Sequence, residues 1–132
     1  MAKYVFPAIF TTEDDGVSVR FPDVANCFTY GAGLADAIEM AEDALALVLY
    51  DMEERGQAIP AASKLDEVRA QAEPGEIVSL IAADTIEYRK QYDNRAVKKT
   101  LSIPAWLNTM AERAGINFSS TLQDALKQQL NI

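Results

Sequence analysis

The chain opens on a short apolar run, continues with a segment that alternates apolar and polar positions with period two, and then shifts to a helical period. Tyr4-Val5-Phe6-Pro7-Ala8-Ile9-Phe10 predicts a first strand, with Pro7 pointing to an edge position or an irregularity because it has no N–H for a ladder. Asp14-Asp15-Gly16 is a turn signal, and Val17-Ser18-Val19-Arg20-Phe21 alternates as the returning strand of a hairpin. Pro22-Asp23 breaks it. A third strand, Cys27-Phe28-Thr29-Tyr30, ends at Gly31-Ala32-Gly33. From Leu34 to Arg55 the pattern becomes helical, with Leu34, Ala37, Ile38, Ala41, Leu45, Val48, Leu49 and Met52 on one face, so this helix is expected to cover one face of the sheet. Gly56 stops it, and Pro60 follows. Residues 61–76 read as loop with a turn of helix. Ile77-Val78-Ser79-Leu80-Ile81-Ala82-Ala83 predicts a fourth strand, expected to be largely buried because apolar residues fill nearly every position. The polar run from Thr85 to Asn94 reads as a linker with some helix.

The last third has a different rhythm. Val97, Leu101 and Ile103 alternate with Lys98, Thr100 and Ser102, predicting a short strand that must end at Pro104, whose fixed φ suits the first turn of a helix. Leu107, Met110, Ala111 and Ala114 follow at helical spacing, and Gly115 supplies a stop. After Asn117, with Ser119 as the alternative cap, a second helix carries Leu122, Ala125, Leu126 and Leu130 on one stripe. One strand and two short helices cannot close a core, and a lone strand leaves its backbone groups unpaired. A two-fold dimer solves both problems if the strands pair antiparallel over interlocked helices, which turns Lys98, Thr100 and Ser102 of each copy outward on a ribbon that the DNA major groove admits. Asn117, Ser119 and Ser120, at the start of the second helix, offer N–H groups to a phosphate. The simpler alternative is a strand-helix-helix piece packed on the rest of the chain.

Charge sharpens this division. The net charge of −8 is unevenly spread: residues 1–95 hold 8 Lys and Arg against 18 Asp and Glu, whereas residues 96–132 hold 4 against 2. An acidic body repels a polyphosphate and suits a basic protein partner; the tail alone is suited to nucleic acid. The acidic face of the 34–55 helix reads either as solvated surface or as the attraction for such a partner. Of the 132 residues, 49% are hydrophobic and 24% charged, the balance of a globular protein. Neither a membrane span nor a signal peptide is expected, so the location is read as cytoplasmic. With no histidine and one cysteine, the commonest general base, metal ligand and nucleophile pairings are missing. Cys27 reads as a small buried hydrophobe. A metal-dependent nuclease would draw on Asp14, Asp15, Asp23, Asp84 and Glu87, but their spacing is not diagnostic, so no catalytic residue, metal or cofactor is expected.

The strand, Pro104, helix, Gly115 and Asn117-Phe118-Ser119-Ser120 resemble the ribbon-helix-helix repressors over residues 96–131. The order strand-strand-strand-helix-strand, with Phe21-Pro22-Asp23, Cys27, Thr29, Gly31 and a helix containing Ala37, Ala41 and Ala44, resembles the HicB antitoxins, with Asn26 where that family usually has glycine. The resemblance implies an α+β chain: a partial RNase H-like β-β-β-α-β domain at residues 1–83, a linker at 84–95, and a ribbon-helix-helix domain at 96–132 for dimerisation and DNA binding. It further implies inhibition of a HicA toxin, a ribonuclease acting on messenger RNA, and repression of the chain's own operon at operator DNA. Association beyond the homodimer is left open. A DNA-binding regulator with a small-ligand-sensing amino-terminal domain is the alternative.

Overall fold

The computed structural model describes residues 3–132 and falls into two compact units, Met1–Arg95 and Ala96–Ile132. In the first, β1 (Lys3–Glu13), β2 (Gly16–Arg20) and β3 (Phe28–Gly31) are followed by α1 (Leu34–Glu54), α2 (Leu65–Gln71), β4 (Ile77–Asp84) and α3 (Thr85–Tyr92). The sheet order is β3-β2-β1-β4, and every neighbouring pair is antiparallel. This is the mixed α+β architecture expected from the alternation.

Period two decides which side chains meet α1. Phe6, Ala8 and Phe10 of β1, Val17 and Val19 of β2, and Ile81 and Ala83 of β4 share one face and join Ala37, Ala41, Leu45 and Leu49 in the core. Small residues on α1 let it lie close to the sheet. At Gly31 a Cβ would sit 2.3 Å from the backbone nitrogen of Ala37, so only glycine allows the helix to start where it does. The stripe on α1 is narrower than its apolar residues suggest, since Leu34 and Ile38 face solvent and Ala46 is buried. Asn26 has φ +58°, the left-handed conformation natural to glycine and best tolerated by asparagine among other residues.

Pro7 and Ile9 point to the opposite face, where α2 packs on β1 and β4 and Val68 is buried. The chain therefore passes from one side of the sheet to the other between α1 and α2, and the passage is pinned to the β2–β3 loop. Ser63 donates from its backbone nitrogen (2.8 Å) and from its hydroxyl (2.5 Å) to the two carboxylate oxygens of Asp23.

Four expectations are corrected. Of the two readings of Pro7, the edge position does not hold: β1 is central, and Pro7 is tolerated because the β1–β2 ladder begins only at Ile9, leaving β4 alone beside it. β4 is an edge strand, with Ile81 and Ala83 buried but Ile77 and Leu80 about half exposed. Residues 61–76 contain the two-turn helix α2. Residues 84–95 are not simply a connection, because α3 packs on α1 as part of the first unit.

The second unit contains α4 (Ala105–Arg113) and α5 (Phe118–Leu130). Gly115, at φ +69°, breaks the chain between them, and Asn117 caps α5 by accepting from the Ser120 nitrogen at 2.9 Å. Residues 93–104, which include the strand expected over Val97 to Ile103, form no helix or strand in the single chain. A strand exists only by pairing with another, and here no second strand is alongside. Neither α4 nor α5 has a buried residue.

Candidate binding surfaces

In the second unit, Lys98, Thr100 and Ser102 are exposed along the segment before Pro104. At the start of α5, the Asn117 carboxamide is occupied as the cap, while Ser119 accepts a hydrogen bond from Gln123 at 3.2 Å. What sets the unit apart is its uncovered apolar surface. Val97, Leu101, Ile103, Trp106, Met110, Leu126 and Leu130 are each between 47% and 78% exposed. An apolar stripe of this extent is left exposed on two helices that bury no residue of their own.

In the first unit, α3 is fastened to α1 by polar groups. Glu53, near the end of α1, accepts from the Tyr4 hydroxyl (2.7 Å), Thr85 Oγ1 (3.0 Å) and Arg89 Nη2 (3.1 Å). Burial alone would raise the Glu53 carboxyl, but hydrogen bonds, those from Tyr4, Arg89 and Thr85 among them, outweigh it and hold the group down to about 2. Arg89 also pairs with Glu54 and lies 4.7 Å above the Tyr50 ring, while Tyr50, Tyr88 and Tyr92 follow one another at 5.1 and 4.6 Å. This cluster is hard to see in the sequence because α3 has little apolar periodicity. The adjacent Glu53-Glu54 at the end of a helix, where the macrodipole disfavours anions, was the available signal for a missing cation.

Beside this cluster lies an open groove of about 490 Å³. Tyr4, Val5, Ala46, Ala82, Tyr88 and Tyr92 supply much of its wall, and the carboxylates Glu42, Asp43, Asp84 and Glu87 stand around it with Lys3. Asp84 also caps α3, accepting from the nitrogens of Ile86 and Glu87. Among the described residues, the acids considered for a nuclease form no group of three or more that could hold a metal ion. Cys27 is buried, and burial pushes its thiol up to about 11, so it serves as a core residue. No helix among the described residues is long and apolar enough to cross a membrane.

Comparisons with known proteins agree with this architecture. A toxin–antitoxin complex from Streptococcus pneumoniae contains a chain with 26% identity and a TM-score of 0.58, the match covering 96% of this chain and 99% of that one. A HicA3 and HicB3 toxin–antitoxin complex matches at 27% identity and a TM-score of 0.50, over 61% of this chain and 99% of the other. The Burkholderia pseudomallei antitoxin HicB shares the fold, with 21% identity and a TM-score of 0.55 over 96% of this chain and 98% of that one. No curated protein sequence gives a significant match. The family described as HicB_like antitoxin of bacterial toxin-antitoxin system matches residues 6–127, nearly the whole length, and the chain belongs to the HicB-like antitoxins.

Proposed function

We propose that this antitoxin is a cytoplasmic, non-enzymatic protein with two separable binding activities. Residues 1–95 bind a HicA-type toxin, a small basic ribonuclease, and block its RNA-binding surface. Residues 96–131 dimerise by pairing the segments before Pro104 and present Lys98, Thr100 and Ser102 to operator DNA, with Asn117, Ser119 and Ser120 near a phosphate. The observation that carries this reading is the apolar stripe of α4 and α5, left uncovered in a chain whose other unit has a closed core. The contrast in charge supports the same assignment, since residues 1–95 are strongly acidic and residues 96–132 are mildly basic.

Coexpression with the neighbouring open reading frame tests toxin neutralisation. The chain should relieve that protein's toxicity and copurify with it. Lys98→Ala with Thr100→Ala tests DNA binding. The double variant should lose operator affinity, at about 1–3 kcal/mol for each base contact removed, while neutralising the toxin as before. Equal loss of both activities would show that they are not separable.

A further inference from the structure

The two edges of the sheet are built differently. β3 is four residues long and ends at Gly31, and a short edge gives another strand little to pair with. β4 is eight residues long, and its register with β1 runs unbroken from Asp84 to Ile77, so no bulge twists its outer side away. Ile77-Val78-Ser79-Leu80-Ile81-Ala82-Ala83 contains no proline, glycine or charged residue. Among the described residues, β4 is paired on one side only. About half of its backbone N–H and C=O groups therefore face outward. Beside that row the side chains are apolar and uncovered: Val5 (49% exposed) lies opposite Ala82, and Leu80 (53%) lies opposite Pro7.

Charge indicates what fits there. At the Asp84 end, the edge runs into the groove bearing Glu42, Asp43, Asp84 and Glu87. At the other end stand Glu73 and Glu76, the latter paired with Arg20 at 2.9 Å. A second copy added antiparallel about a two-fold axis would set the Asp84 end of one β4, with Glu42, Asp43 and Glu87, beside the Glu73 and Glu76 end of the other, between bodies that each hold 8 basic against 18 acidic residues. A cationic strand meets no such repulsion. Resting on the antitoxin reading above, we propose that the outer edge of β4 and the adjoining acidic groove form the toxin-docking surface. It would take up an extended apolar segment of the toxin as a fifth strand and hold a Lys or Arg flanking that segment among Glu42, Asp43 and Glu87.

The test uses the full chain and the toxin encoded by the adjoining reading frame. Leu80→Glu places a charge on the exposed edge and should weaken toxin binding at least tenfold; Asp43→Lys with Glu87→Lys should do the same and flatten the salt dependence. Phe28→Glu, on the opposite edge and 72% exposed in the wild type, should leave affinity unchanged. Hydrogen exchange on the wild-type chain supplies a readout independent of any variant's folding: alternate amides of β4 should exchange quickly in the free chain and become protected when toxin is added. Wild-type affinity in the β4 and groove variants, with no new protection in β4, would overturn the docking surface while leaving the antitoxin reading intact. Failure of the wild-type chain to bind the toxin would overturn both. Protection of β4 in the free chain that increases with its concentration would place a second copy on the edge and also overturn the proposal.

Discussion

The two units use similar apolar periodicities to opposite ends. In residues 1–95 the stripe of α1 is consumed internally, with Leu45 and Leu49 fully buried against Phe6 and Phe10. In residues 96–132 the stripes of α4 and α5 are comparable, yet no residue is buried. Periodicity states that a face must be covered, whereas the number of strands and helices within reach decides whether the same chain can cover it. A unit with a four-stranded sheet has that means, and one with two short helices does not.

The sharpest way to break this contrast is to delete a side chain from each stripe. Leu45→Ala should cost about 2–5 kcal/mol, measured as a fall in the denaturation midpoint of the first unit. Leu126→Ala, at a position 51% exposed in the single chain, should leave that transition unmoved and, if the proposed dimer forms, weaken it, seen as a shift of the dimer–monomer equilibrium to higher concentration. Equal sensitivity of one transition to both changes would mean that the units are not independent.

Gly31→Ala tests how closely α1 is held to the sheet. Its Cβ would meet the backbone of α1, so a loss of a few kcal/mol, about 1–3 as for overpacking, is expected in thermal melts. At the start of α5, Asn117→Ala should cost about 1 kcal/mol of helix stability, visible by circular dichroism chiefly where the second unit is associated.

The smallest effect concerns pH. Because the folded Glu53 carboxyl lies at about 2, below its ordinary value of 4.5, its contribution is fully present above pH 4.5 and is lost as pH falls toward 2. Glu53→Gln should therefore flatten the decline in melting temperature of the first unit between about pH 5 and pH 3. An unchanged slope would move the cause of acid sensitivity to other carboxylates.

Much of the fold was legible because it rests on local patterns. The hairpin around Asp14-Asp15-Gly16, the long α1 closed by Gly56, and the α4–α5 break at Gly115 each follow from turn chemistry and periodicity within a few residues. What was misread depends on distant neighbours. An apolar run such as β4 is consistent with burial on both faces, and only the strand order reveals that one side is open. α3 is held by a cap, two ion pairs and tilted contacts between tyrosine rings instead of an apolar stripe, so its sequence resembles a linker. Alternation places Lys98, Thr100 and Ser102 on one side of the expected strand from the sequence alone, whereas the convergence of Glu42, Asp43 and Glu87 required α1, β4 and α3 to be in place.

The clasp between Asp23 and Ser63 joins positions 40 residues apart, after the chain has made a hairpin and a long helix. Closing such a loop carries an entropic cost, and the clasp fixes the chain where it crosses to the side of the sheet on which α2 packs. Because α2 is short and buries only Val68, that side should be the first to come away in brief, partial openings, with the stretch from Gln57 to Ser63 as the natural entry for a degrading enzyme while the α1 side remains intact.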